Sequence, residues 1–168
     1  MDYRFKTPYK EIDFKIAEDF LLLQNLGYPL YEYWVKRKAI PEAKSGDKKM
    51  ILAFSDNELI ADLIYQMYKE DPDFLELKNL RVHPMMRERY IAKFMLRQVE
   101  AENRNKYKAI ICDCPANQPD IFRFMESCGY HALITRPLYD DSREEIVMLK
   151  LLEPSKKSII IPKALDMF

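Results

Sequence analysis

The chain has 168 residues, 48% hydrophobic and 32% charged, enough apolar material for one domain with a sizeable core. Its 27 basic and 27 acidic residues cancel, which argues against a strongly basic nucleic-acid binder. With three glycines and no G-x-G or G-K-[ST] sequence, a glycine-rich phosphate loop of the Walker or dinucleotide type is excluded. The apolar runs, such as residues 20–23, are far too short to span a bilayer. The opening MDYRFKTPYKE lacks the basic-then-apolar pattern of a signal peptide. Three cysteines, an odd number, suit a reducing cytoplasm better than a disulfide framework, so a cytoplasmic protein with no membrane partner is expected.

Residues 3–6 read as a short strand. A helix is expected over residues 13–26, where Ile16, Phe20, Leu23 and Leu26 recur at spacings of four and three and form one apolar face, with Gly27 as its stop. A second helix covers residues 30–37 with Tyr31, Trp34 and Val35 inward, and the polar run 41–47 reads as a loop. A hairpin follows, with strands at 49–54 and 59–68 about a turn at 55–58. A loop at 70–73 leads to a third strand, 74–82. The next helix, residues 88–103, points Ile91, Phe94, Met95 and Val99 inward. The continuous apolar run at 108–114 is that of a strand inside a sheet. A helix at 119–127 ends at Cys128-Gly129. Strands 130–136 and 145–152 close the sheet as a hairpin around a polar loop, 137–143. In the tail, Ile159-Ile160-Ile161 reads as a small strand. The tail is apolar and is expected to dock on its own sheet or on a second subunit, which makes a homodimer a candidate assembly.

The strands on either side of the 88–103 helix are expected to run parallel, because a helix crosses between them. The fold class is therefore mixed α/β: a single, mostly antiparallel sheet with one parallel pair at its centre and helices on both faces. A single domain is expected over 1–168, with its core at about 49–152, a helical part at 1–40 and a tail at 153–168.

The stretch 74–102 stands out chemically. A buried strand feeds a helix whose first backbone N–H groups lack internal partners and attract anions. Arg87 and Arg89 are expected in the first turn of that helix, a position that disfavours cations, so their presence there points to an anionic ligand. Cys112-x-Cys114 lacks the ligand spacing of a structural zinc site, and no metal is expected.

Three local patterns fall on these elements. Leu80-Arg81-Val82-His83-Pro84 ends a strand in Val-x-Pro. Arg87-Glu88-Arg89-Tyr90-Ile91-Ala92 follows it at the helix start. Asn117 precedes a helix that ends in Cys128-Gly129-Tyr130. In this order the chain, over roughly 49–152, resembles the GNAT family, the Gcn5-related N-acetyltransferases. The resemblance implies acetyl-CoA, or another acyl-CoA, as co-substrate and a primary amine of a small molecule or protein as acceptor, acylated by direct attack. It implies that the backbone of Leu80, Arg81 and Val82 holds the pantetheine arm and thioester carbonyl. Arg87, Glu88, Arg89, Tyr90, Ile91 and Ala92 fall on the pyrophosphate loop, and Asn117 and Phe124 among the further cofactor-binding residues. The loop departs from the family pattern, because Tyr90 stands where glycine is usual and Glu88 where it is common. The family's proton-donating tyrosine aligns with Met125 or Phe124, which leaves Tyr130, Tyr139 or water to protonate the thiolate. Glu76, six residues before Val82, is the candidate base. The alternative is a GNAT-like module that binds acyl-CoA or a partner without catalysis. The aromatic run 28–34 could line an acceptor groove or serve as core.

Overall fold

The computed structural model describes residues 2–23 and 27–168. Seven strands form the sheet: β1 Tyr3–Lys6, β2 Lys49–Ser55, β3 Glu58–Met67, β4 Phe74–Val82, β5 Ala109–Pro115, β6 His131–Asp140 and β7 Arg143–Leu151. Their order is β1-β2-β3-β4-β5-β7-β6. The β4–β5 pair is parallel, whereas β1–β2, β2–β3, β5–β7 and β6–β7 are antiparallel, so the expected mixed sheet with one parallel pair is observed. The chain divides into two compact units, Met1–Gln66 with Lys78–Met95, and Met67–Leu77 with Leu96–Phe168.

In the first unit, helix α1 covers Glu11–Leu23. It starts where Asp13 accepts the backbone N–H groups of Tyr9 and Lys10, each at 3.2 Å. Positions 24–26, which include the expected Leu26, lie outside the described residues. The expected loop at 41–47 is corrected: α2 (Tyr31–Trp34), a π-helical turn (Val35–Ala39) and α3 (Ile40–Ser45) run on as one helical segment. Proline inside an α-helix clashes with the carbonyl four residues back. Here Pro41 follows a wider turn in which the Ile40 N–H bonds to the Val35 carbonyl, five residues back. The segment stops at Gly46, whose φ is +89°. Asp56 and Asn57, at φ 49° and 73°, make a two-residue hairpin turn suited to the twist of β2 and β3. Phe14, Leu21, Val35 and Ile40 pack with Met50, Leu52, Phe54 and Ile64 as this unit's core.

Helix α4 covers Ile91–Asn103 and begins three residues later than expected, because Glu88 and Tyr90 have positive φ and cannot belong to a right-handed helix. Ile91, Met95 and Val99 are buried as expected. Phe94 is not: it lies at the edge of that stripe, more than half exposed, with its ring 4.4 Å from that of Phe5.

In the second unit, the parallel register is Phe74↔Ala109, Leu75↔Ile110 and Glu76↔Ile111. Helix α5 is Pro119–Ser127 as expected. The expected loop at 137–143 is mostly strand, and the β6–β7 turn is reduced to Asp141-Ser142. Pro137 is tolerated because β6 is an edge strand and its register shifts between Arg136 and Asp140. The expected strand at 159–161 is instead part of helix α6, Lys157–Leu165. Ile160 and Ala164, four residues apart, are buried in a cluster with Phe74, Ala109, Ile111, Val147 and Leu149, so tertiary burial overrides the β propensity of three isoleucines. Lys163 secures the helix by ion pairs to Asp71 (2.6 Å) and Asp73 (2.9 Å). The tail thus docks on its own sheet.

Candidate active site

The end of β4 lies in the first unit. Leu80 and Val82 are half-buried, and Arg81 is buried. Beyond Val82, the His83 N–H donates to the Ile60 carbonyl of β3 at 2.8 Å, and the His83 ring nitrogen Nδ1 accepts the Met85 N–H at 3.3 Å. The chain then makes a short 3-10 turn, Pro84–Met86, and reaches Arg87, Glu88, Arg89 and Tyr90, all exposed. Ile91 turns inward and Ala92 is half-buried. Arg87 and Arg89 therefore precede α4 instead of occupying its first turn.

Glu88 and Tyr90 hold φ of 61° and 60°. These are the two positions at which the resemblance led to glycine. The loop holds, without glycine, the left-handed backbone that glycine adopts freely. Each non-glycine residue in that region costs roughly 1–2 kcal/mol. The Tyr90 ring is 79% exposed, so side-chain burial does little to offset its cost. Residues held in sparsely populated backbone regions cluster at functional segments. Immediately after the loop, the Phe94 N–H bonds to the Tyr90 carbonyl at 2.9 Å and starts the helix.

In the second unit, Glu76 is half-buried and sits opposite Ile111. Its carboxylate acts on Tyr68, whose phenol is pushed up first by burial, then by the charges of Glu76 and Glu70. Asn117 is exposed just before α5, and Phe124 is half-buried within it. Tyr130 is fully buried, and its hydroxyl has no hydrogen-bond partner among the described residues. Burial, followed by the nearby Cys112, Glu100 and Cys128, pushes its phenol well above the ordinary value. Tyr139 is partly exposed, and its hydroxyl donates to Asp113 Oδ2 at 3.0 Å. Near that pair, Glu145 is completely buried, with Oε1 2.5 Å from Arg143 Nε; burial raises its pKa and Arg143 lowers it. Cys112, Cys114 and Cys128 are buried, and the thiols of Cys112 and Cys114 are pushed up by burial. Among the described residues no group of three His, Cys, Asp or Glu side chains could hold a metal ion.

Tyr31 is core, its hydroxyl donating to the Leu21 carbonyl at 3.0 Å, whereas Tyr33 is exposed. The structure also brings forward a residue that the sequence reading passed over. Asp62 on β3 is completely buried, and burial raises its pKa to about 7 against the pull of Arg81 and Asn79. Its signal was present in ELIADLIYQM, where after the opening Glu58 a single acid, Asp62, interrupts an apolar run.

The strand order, the Val-x-Pro exit of β4 and the left-handed loop leading into α4 define an α/β protein of the acetyltransferase class. Residues 14–130 match the model of the acetyltransferase (GNAT) family, and the chain belongs to that family. No curated protein matches the sequence significantly. Among solved structures, the fold is similar to the ribosomal-protein-S18-alanine N-acetyltransferase of Escherichia coli (TM-score 0.70, 13% identity, 90% of this chain and 94% of that one). It is also similar to Arabidopsis thaliana NAA60 in complex with a bisubstrate analogue (0.70, 14%, 89% and 98%). A third neighbour is an aminoglycoside 6'-N-acetyltransferase complexed with coenzyme A (0.70, 15%, 92% and 98%). Among the described residues no helix is long and apolar enough to cross a membrane.

Proposed function

We propose that this chain is an acyl-CoA-dependent N-acyltransferase that moves acetyl from acetyl-CoA to a primary amine of a small molecule or protein, working in the cytoplasm as a single GNAT-like domain. Family membership supports the reaction class. The observation that carries the reading for this chain is the left-handed backbone at Glu88 and Tyr90, kept although neither residue is glycine. In this reading the backbone N–H groups of 87–92 bind the pyrophosphate, with Arg87 and Arg89 adding charge. The backbone of Leu80, Arg81 and Val82 holds the thioester, and Asn117 and Phe124 contact the cofactor.

The amine nitrogen attacks the carbonyl carbon, the C–N bond forms and the C–S bond breaks, and the electron pair leaves on sulfur. The ammonium proton passes to Glu76, directly or through water, and the thiolate takes up a proton. Tyr139, which is partly exposed, suits that second transfer better than Tyr130, whose phenol is sealed from solvent and shifted away from easy ionisation. The same burial favours a second reading, a binding module that keeps the loop and has lost the chemistry.

Calorimetry with acetyl-CoA on the wild type and on an R87E/R89E double variant tests the proposal, followed by thiol release with a panel of amines. Micromolar binding that charge reversal abolishes, together with turnover, is expected. Binding without transfer to any amine selects the binding module, and no binding at millimolar cofactor overturns both readings.

A further inference from the structure

Within the first unit, one chain of polar side chains crosses the interior. The Asn79 amide Nδ2 donates to Asp62 Oδ2 at 2.5 Å, and Arg81 Nε donates to Asn79 Oδ1 at 2.8 Å. The Arg81 guanidinium lies 4.5 Å from the centre of the Tyr31 ring, whose hydroxyl bonds to Leu21. Asn79 is thereby fixed in one orientation, with its donor toward the acid and its acceptor toward the base. The charges at the two ends are both buried, Asp62 at 0% exposure and Arg81 at 5%, and Asp62 Oδ1 and Arg81 Nη1 have no hydrogen-bond partner among the described residues. A hydrophobic core gains nothing from such a device, because taking a charge pair out of water costs more than apolar packing of the same volume.

Its position suggests a use. Asn79 and Arg81 flank Leu80 on β4, which is hydrogen-bonded to β3, and just beyond β4 the His83 N–H bonds to Ile60, two residues before Asp62 on β3. The segment 80–82 therefore lies between a side-chain bridge to β3 on one side and a backbone bond to β3 on the other, in addition to the pairing of the two strands.

We propose that Asp62, Asn79 and Arg81 form a positioning bridge that holds the β4 segment 80–82 in the form that binds acyl-CoA, and that Asp62 must be ionised for the bridge to hold. The inference rests on the acyltransferase reading. Ionised Asp62 balances Arg81 through Asn79. Protonated, it leaves a buried guanidinium with no counter-charge among the described residues, and the arginine must either bear that cost or move toward water, taking its strand with it. The charged or titratable groups facing Asp62 are Arg81 on β4 and Tyr31 on α2; its register partner on β2 is Leu52, which is apolar. Burial holds the Tyr31 phenol at about 12, so that Tyr31 stays neutral through this range. Asp62, raised to about 7, is the group that changes charge near neutrality.

The two pH effects have opposite signs. A carboxylate whose folded pKa is raised contributes stability that is full below its unfolded value and is lost as pH rises through the folded value. Cofactor affinity, by contrast, rises as Asp62 ionises. A purely structural role moves stability alone.

The test is acetyl-CoA affinity by calorimetry from pH 5.5 to 8.5 on the wild type, Asp62→Asn and Asn79→Ser. Comparing variants cancels the titration of the cofactor's own phosphate. The expected result is a rise of about fivefold or more across neutrality in the wild type. That rise should be absent in Asp62→Asn, and Asn79→Ser should bind weakly at every pH. An identical step in the wild type and Asp62→Asn, or unchanged affinity in Asn79→Ser, overturns the bridge and leaves the acyltransferase reading intact. Failure of the wild type to bind at any pH defeats that reading, and the inference with it.

Discussion

Replacing Tyr130 with Phe separates a structural from a catalytic role in one variant. The ring is completely buried, so the substitution leaves packing almost unchanged, and the Lys150 ammonium 5.6 Å from the ring centre keeps its aromatic face. What is removed is one buried hydroxyl without a hydrogen-bond partner among the described residues. The desolvation cost of such a group is about 1–3 kcal/mol, so Tyr130→Phe is expected to stabilise the protein by about 1 kcal/mol or more. For a chain of this length, each kcal/mol raises Tm by about 2–4 °C. The gap should widen above pH 10. There the unfolded tyrosine ionises at its ordinary value while the buried one cannot, so wild-type stability falls as pH rises. Thermal denaturation at pH 7 and pH 10.5 measures both effects, and acetyl transfer at pH 7 should be unchanged. A fall in Tm of more than about 2 °C would mean that the hydroxyl is satisfied in the folded protein and that the burial argument is wrong. A fall in kcat without loss of stability would restore Tyr130 as the proton donor.

Tyr90→Gly should relieve the strain of a left-handed tyrosine and stabilise the chain by about 1 kcal/mol while preserving cofactor affinity; denaturant melts and calorimetry read the two quantities, and weaker binding would show that the ring itself contacts the cofactor. Glu76→Gln should lower kcat/KM by about 10²- to 10⁴-fold with little change in acetyl-CoA affinity, and an unaltered pH–rate profile would remove Glu76 from the mechanism. Ile160→Ala should cost about 2–4 kcal/mol, because it opens a cavity against Phe74 and Val147. A loss below about 1 kcal/mol in urea titration would mean that α6 adds little to that core.

Where apolar period and turn chemistry agreed, the elements could be read directly. The bounds of β4 and α5 follow from Phe74, Val82, Pro119 and the Cys128-Gly129 stop. The misreadings have physical causes. Polarity at 41–47 suggested a loop because a π turn ahead of Pro41 leaves no mark in local composition. Ile159-Ile160-Ile161 looked like a strand because β-branched propensity is local, whereas burial of Ile160 and Ala164 against residues as distant as Phe74 is not. At the site, the order of motifs led to the loop, but its central property did not. Glycine is absent at 88 and 90, and the sequence carries no local mark of the positive φ that Glu88 and Tyr90 both hold. Asp62 was legible as a single acid within an apolar run, but its partners Asn79 and Arg81 are 17 and 19 positions away, and only strand pairing could supply them.

The docking of α6 also bears on how the chain acquires its structure during synthesis. All residues of the first unit have been translated by Met95, whereas the core of the second needs Ile160 and Ala164. Domains fold as they emerge, N-terminal parts first. The first unit is thus expected to become protease-resistant on nascent chains that still lack α6, and the second only once that helix is free to pack. Until then Phe74 and Val147 lack part of their cover, a window in which exposed apolar surface recruits chaperones or neighbouring chains. Pulse proteolysis of stalled chains of increasing length would show one resistant fragment and then two. Simultaneous protection of both units would contradict the sequence of events.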